Sequence, residues 1–349
     1  MTELGDVRHA FEVPDLFNSS PLYRSLCGTV TGSDALLELA SRGRPGQQPA
    51  ILFFGAVHRL LLLGADHELA EFYPSIVERP RPADRAGAAL VSFCAENYSA
   101  VAALIEGRLV QTSQVQRSLA LRLGLCAIAC QVAAPVHLVE VGASAGLNLR
   151  FDRYGYQLAG HQFGDRHSKI QLVADWYDAL PPLDLDALPE IASVVGVDLN
   201  PIDPTDEDAR QWLDALVWPE NSHQRVLLAA ALALVAADPP DIRRGDAVDV
   251  LPVLAGELPA GAPRVVFHAA TRMHVPLDRR ADFDSAIASV GAGGPLYVLS
   301  LEAPPDPDPR PLPSRPGVAL NLRGPDGSSA VLAVAEAHLR WVEPCVPIL

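Results

Sequence analysis

The feature that most constrains this chain is the run Val136-His137-Leu138-Val139-Glu140-Val141-Gly142, apolar residues leading directly into a glycine turn. A short run that is apolar on both alternating faces predicts a strand buried on both sides, as in parallel sheets covered by helices. Upstream, from about residue 20 to 133, apolar positions recur every three or four residues, as at Phe53, Val57, Leu60 and Leu61, and predict helices. Downstream, apolar runs at 192–198, 241–246, 264–269 and 295–301 alternate with helical stretches at 224–237, 248–255 and 279–290. That alternation predicts parallel strands joined by crossover helices. The last two runs, 318–323 and 330–336, flank Gly324-Pro325-Asp326-Gly327 and predict a terminal antiparallel hairpin. Residues 154–158 and 169–173 predict a hairpin inserted between the first and second strands, and the Pro- and Asp-rich stretch 304–316 suits an exposed loop. The expected fold is α/β: an all-helical N-terminal cap domain over residues 1–133, then a Rossmann-like domain over 134–349 with an insert near 154–178. Its sheet is expected to be mostly parallel with a terminal antiparallel hairpin.

The turn Glu140-Val141-Gly142-Ala143-Ser144-Ala145-Gly146 admits three chemistries. A dinucleotide G-x-G-x-x-G needs glycine where Ser144 and Leu147 stand. A nucleophile elbow, G-x-S-x-G, matches literally and would make Ser144 an acylated serine, but such an elbow sits mid-sheet with several strands ahead of it. The acid-x-G-x-G-x-G turn of class I methyltransferases matches at Glu140, Gly142 and Gly146, with Ser144 in place of the middle glycine. Because no strand is expected before residue 136, the third pattern fits best and implies S-adenosylmethionine as cofactor. Ala143 and Ser144 would then lie against it.

Two downstream acids agree with this order. Val194-Val195-Gly196-Val197-Asp198 is an apolar run ending in a carboxylate, the position that accepts ribose hydroxyls in nucleotide-binding sheets. Asp198 is expected to hold the ribose and Asp246, after the third strand, the adenine amino group, with the neighbouring Leu199 and Ala247 also against the cofactor. Asp198 follows Gly142 by 56 residues, where about 20 is usual, so the inserted hairpin must account for the excess. An Asp after a strand is also an ordinary helix cap.

Four segments carry a resemblance to a known family: 53–61 (FFGAVHRLL), 110–118 (VQTSQVQRS), the Gly142 turn, and 196–203 (GVDLNPID). On these the chain resembles the mainly actinobacterial domain of unknown function 2332 family, over nearly its whole length. Relatives often carry Thr-Asn-Glu where this chain has Thr112-Ser113-Gln114. The resemblance implies the fold more than the reaction.

Methyl transfer needs a nucleophile held in line with the methyl group and often a base. His268 closes the run 264–268 at a strand's carboxyl end and is the expected base; His274, six residues on, is the second candidate, with Arg272 between them for substrate. From the helical part, His58, Arg59, Gln111, Thr112 and Arg117 are expected substrate contacts, being polar residues in apolar stretches. No Asn/Asp-Pro-Pro-Tyr follows the fourth strand, which disfavours adenine or glutamine nitrogen as the target.

A net charge of −15 disfavours nucleic acid, whose binding depends on neutralising phosphates. The longest apolar stretches fall short of about 20 residues, so no membrane span is expected. Five cysteines without a C-x-x-C suit a reducing compartment, and the cytoplasm is the expected location. No ligand spacing predicts a metal. The expected partner is a small-molecule substrate; oligomeric state, substrate and methylated atom are not legible. The alternatives are a serine hydrolase using Ser144 and a cofactor-binding protein without turnover.

Overall fold

The computed structural model describes residues 4–13, 16–111, 113–177, 183–303 and 317–345. Thr112 and the stretch 304–316 lie outside the described residues. The chain forms two compact units, Met1–Thr112 with Thr205–Ala229, and Ser113–Pro204 with Ala230–Leu349.

The first unit holds α1 (Leu4–Glu12), α2 (Pro21–Thr31), α3 (Asp34–Ala40), α4 (Pro49–Leu62), α5 (Gly87–Glu96) and α6 (Tyr98–Gly107). The chain then enters the second unit with α7 (Ser118–Ala129), returns to the first with α8 (Glu207–Ala215), and passes from first to second along α9 (Ser222–Ala237). Local chemistry sets the helix starts: Ser20 and Ser33 accept the Tyr23 and Leu36 amides, and Pro opens α2 and α4, where its missing N–H costs nothing. Glu220 reinforces the start of α2, accepting the Ser20 hydroxyl at 2.6 Å and the Leu22 amide at 2.9 Å. Phe54 of α4 stacks on Tyr23 at 4.5 Å and meets Phe11 and Phe17 edge-on. Gly55 lets α8 close on α4: a Cβ there would stand 2.9 Å from Leu216.

In the second unit α10 (Ala247–Glu257) and α11 (Arg280–Ser289) accompany eleven strands: β1 (Val136–Val141), β2 (Gly155–Leu158), β3 (His161–Gly164), β4 (Gln171–Trp176), β5 (Ile191–Asp198), β6 (Asp241–Arg244), β7 (Arg264–Ala269), β8 (Leu296–Glu302), β9 (Val318–Arg323), β10 (Ser329–Ala335) and β11 (Trp341–Pro344). They form one sheet in the order β3-β2-β4-β11-β10-β9-β8-β7-β1-β5-β6. From β6 to β8 every pairing is parallel, and among those five strands the order is third, second, first, fourth, fifth, the doubly wound arrangement. Its direction reverses between β1 and β7. From β8 to β11 the sheet is an antiparallel meander, and the expected terminal hairpin is β9 with β10.

The insert differs from its expected form. Residues 155–158 pair antiparallel with β3, whereas residues 171–173 of the expected partner fall in β4, which pairs with β2 in parallel and, further on, with β11 in parallel. The cause is the two-residue turn Ala159-Gly160, both at positive φ (46° and 80°), the form that matches strand twist in a tight hairpin. β11 has no counterpart among the expected strands.

Side chains alternate across the sheet. On one face Val139, Val141, Val195, Val197, Val266 and Val298 pack with Leu251, Leu254, Phe283, Ile287 and Val290 of α10, α11 and the turn beyond. Each such side chain contributes roughly 1.5–3 kcal/mol on burial. Glu140 alternates to the opposite face, where α7 approaches so closely that a Cβ on Gly124 would lie 2.5 Å from Leu299. No single helix among the described residues is long and apolar enough to cross a membrane; only the pair α5 and α6, bent by 85°, passes by length and composition.

Candidate functional site at the carboxyl ends of the strands

The loop after β1 alternates into left-handed backbone at Gly142 (φ 80°), Ser144 (φ 53°) and Gly146 (φ 74°). The protein's own packing requires both glycines. A Cβ on Gly142 would stand 2.3 Å from Thr271 Oγ1, and one on Gly146 would stand 2.4 Å from Pro240 Cγ. The amides of Gly142 and Ala143 donate to Val197 O (2.8 and 3.3 Å), and Gly146 N donates to Ala143 O (2.7 Å). Ala145 N–H has no acceptor among the described residues. Ser144, a non-glycine in the left-handed region at a cost of roughly 1–2 kcal/mol, is held from both ends. Its amide donates to Asp198 Oδ2 at 2.8 Å, and its hydroxyl lies 3.0 Å from that of Ser113.

Asp198 therefore ties the β1 loop to the tip of β5, where its other oxygen accepts the Asn200 amide at 2.7 Å. Beside it Leu199 is 70% exposed. Asp246 caps α10, accepting Val248 N at 3.0 Å, and meets Arg279 at 3.5 Å; Ala247 is the first residue of that helix and is buried.

Glu140 is buried on the opposite face from Val139. Asn148 donates to its Oε1 at 2.7 Å and accepts the Ser118 hydroxyl at 2.8 Å, while Oε2 is enclosed without a partner. Burial pushes its pKa up to about 8; the Asn148 hydrogen bond and Arg117 oppose the rise, and Asp198 adds to it. A carboxyl in this position is mostly protonated at pH 7.

On the far side of the strand-order reversal, Glu302 at the end of β8 gathers three donors on Oε1: His268 Nδ1 at 2.8 Å and the amides of Thr271 and Arg272, both at 2.9 Å. Burial alone raises the Glu302 pKa, but these hydrogen bonds outweigh it and bring it below the usual range. An ionised carboxylate only accepts, so His268 Nδ1 must carry the proton, leaving Nε2 as the basic nitrogen. The Phe283 ring meets the imidazole edge-on at 5.7 Å. Thr271 donates to Val141 O at 3.1 Å, bracing β7 against the Gly142 turn. His274 lies in the short turn after β7; desolvation lowers its pKa more than Glu302 raises it. Arg272 forks onto Asp284 of α11 at 2.8 and 2.7 Å.

The structure thus gathers Glu140, Gly142, Ala143, Ser144, Gly146, Asp198 and His268 around adjoining strand ends. Of the residues expected to contact substrate, Arg117 belongs to this unit, in the turn before α7. His58 and Arg59 lie within the helical unit and are engaged there. His58 Nδ1 donates to Ala215 O (2.9 Å), Nε2 accepts from Ser75 (2.8 Å), and burial lowers its pKa to about 4. Arg59 pairs with Asp208 and reaches Gln211 at 3.3 Å. Gln111 follows α6 in the same unit, and Thr112 is outside the described residues. Glu302, Thr271, Asn148, Ser113 and Ser118 were not among the expected site residues. Glu302 carried a usable signal, a carboxylate closing an apolar run as Asp198 does. Among the described residues no three metal-ligating side chains converge. A cavity of about 210 Å³ lined by Val7, Ala40, Arg44 and Gln47 lies in the helical unit and contains none of these groups.

Fold and loop define the class: a doubly wound α/β protein with its glycine turn beside the strand-order reversal. The chain belongs to the DUF2332 family, whose model, described as "Uncharacterized protein conserved in bacteria (DUF2332)", matches residues 15–343. No curated protein matches. Among solved structures, one described as a "DhpI-SAM-HEP complex" is 15% identical, with the match covering 58% of this chain and 65% of that one at a TM-score of 0.22. A likeness of that degree defines neither fold nor function.

Proposed function

We propose that the sheet-bearing unit binds S-adenosylmethionine along the carboxyl ends of β1, β5 and β6 and transfers its methyl group to a small molecule. What supports this most is the bond from Ser144 N–H to Asp198, which joins the glycine turn of the sheet's first strand to the acid at the tip of the second. Doubly wound sheets bind nucleotides at that crevice, with such an acid on the ribose. Two further observations fit the cofactor: the Ala145 N–H has no acceptor among the described residues, and exposed Leu199 offers an apolar surface beside the acid. When bound, the sulfonium supplies an electrophilic methyl group. His268, its Nδ1 fixed by Glu302, takes the proton of the attacking group at Nε2.

Calorimetry with S-adenosylmethionine and S-adenosylhomocysteine tests the reading. Leu199→Asp, a surface change, is expected to weaken both about tenfold or more by placing a carboxylate against the adenosyl ring. Absence of binding to the unaltered protein at millimolar cofactor would falsify methyl transfer. Transfer from labelled cofactor to a component of a bacterial extract separates an enzyme from a protein that only binds. The serine hydrolase draws no support from the geometry: no described imidazole bonds Ser144, and no described strand precedes β1.

A further inference from the structure

Residues 113–118 are fastened at both ends of the site. Ser113 meets Ser144, Ser118 reaches Glu140 through Asn148, and Gln116 donates to Val173 O at 2.9 Å and Leu339 O at 3.3 Å. Arg117 lies between these anchors. Its Nε is fully enclosed and unpartnered, and its guanidinium makes no ion pair within 4.0 Å among the described residues. The other two enclosed arginines of the unit are satisfied through their terminal nitrogens: Arg122 by Leu185 O at 2.7 Å, Arg264 by Val290 O at 2.9 Å and Pro259 O at 3.1 Å. Arg117 keeps partial exposure as a residue, so its fork is reachable.

A guanidinium whose Nε–H is enclosed without an acceptor gains when its outer nitrogens meet a planar anion. Its charged neighbours, in order of strength, are Glu302, Glu140 and Glu336, which belong to β8, β1 and the turn after β10. Glu302 is engaged by His268 and two amides, Glu336 by Arg340 at 3.0 Å, and Glu140 by Asn148. What Arg117 lacks among the described residues is a planar acceptor.

We propose that Arg117 anchors a carboxylate of the ligand bound at the strand ends, so that the transferred methyl group goes to, or the cofactor is held as, a carboxylate-bearing small molecule. A monoanion is favoured over a phosphate because the ionised Glu302 and Glu336 stand nearby and would repel a second charge. The substrate's carboxylate and the cofactor's methionyl carboxylate share this chemistry. The proposal rests on the strand ends being the ligand site, and its test separates the two.

Acetate and benzoate, with acetamide and benzamide as neutral controls, are titrated against the protein and against Arg117→Met and Arg117→Lys, reading Tm with and without S-adenosylhomocysteine. Calorimetry compares S-adenosylhomocysteine with 5′-methylthioadenosine, which lacks the amino-acid part. Stabilisation by the carboxylates but not the amides, lost in Arg117→Met and partly kept in Arg117→Lys, assigns the anchor to the substrate. A drop of about 10–100-fold in S-adenosylhomocysteine affinity in Arg117→Met, with 5′-methylthioadenosine unchanged, assigns it to the cofactor. Ligand-free Arg117→Met is expected to melt no lower than the parent, since it loses an unpaired cation. Carboxylate and S-adenosylhomocysteine binding unchanged in Arg117→Met, or no carboxylate response in the parent together with a lower Tm for the variant, overturns the anchor. A carboxylate response without S-adenosylhomocysteine binding upholds the anchor while removing methyl transfer.

Discussion

Glu140 makes stability depend on pH across the neutral range. Its folded pKa, about 8, exceeds the ordinary 4.5, so the folded chain binds this proton more tightly than the unfolded one. Stability from this group is therefore full below pH 4.5 and declines as pH rises to about 8, by roughly 3–5 kcal/mol. Glu140→Gln keeps the Asn148 hydrogen bond and cannot ionise; its urea-unfolding free energy should be flatter over that window, and an unchanged slope would show that Oε2 finds solvent. Gly142 is constrained as firmly. Gly142→Ala, with positive φ and a Cβ against Thr271, should lose about 2–4 kcal/mol. Adding Thr271→Ala should restore part of it, leaving only the backbone strain; a strictly additive double mutant would place the clash elsewhere.

Among the elements, the β2–β3 hairpin shows how one turn reassigns a strand. Alternating apolar residues at 154–158 and 169–173 marked both as strands, but Ala159-Gly160 carried too weak a turn signal beside the usual Asn-Gly for the partner to be recognised. Ala159→Asn, which tolerates φ of 46° better than alanine, should raise stability by roughly 0.5–1 kcal/mol, measured as Tm. A lower Tm would mean the turn is not of this type. The parallel strands were more legible, because burial on both faces leaves continuous apolar runs; β7 falls on residues 264–269 as expected. The short β11, paired at its ends with β4 and β10, has no such run of its own.

For the molecule as a whole, the helical unit has its own pH sensitivity. His58 is enclosed and neutral, with a folded pKa near 4 against the ordinary 6.5. Its contribution is complete above pH 6.5 and is lost as pH falls towards 4, by roughly 3 kcal/mol. His58→Phe is expected to be less stable at neutral pH, for want of two hydrogen bonds, yet to lose less on acidification. An equally steep acid limb in that variant would assign the loss to other groups.

By itself the sequence determined the α/β class, the place of the first strand, the glycine turn and the acid closing β5, because each follows from local periodicity or from a residue's own backbone freedom. Tertiary structure alone decided that residues 205–229 pack with the N-terminal helices, that Glu302 orients His268, and that Arg117 Nε is enclosed without an acceptor among the described residues. Those relations join residues 30 to 200 positions apart, and no local pattern encodes which polar groups meet once the chain has closed.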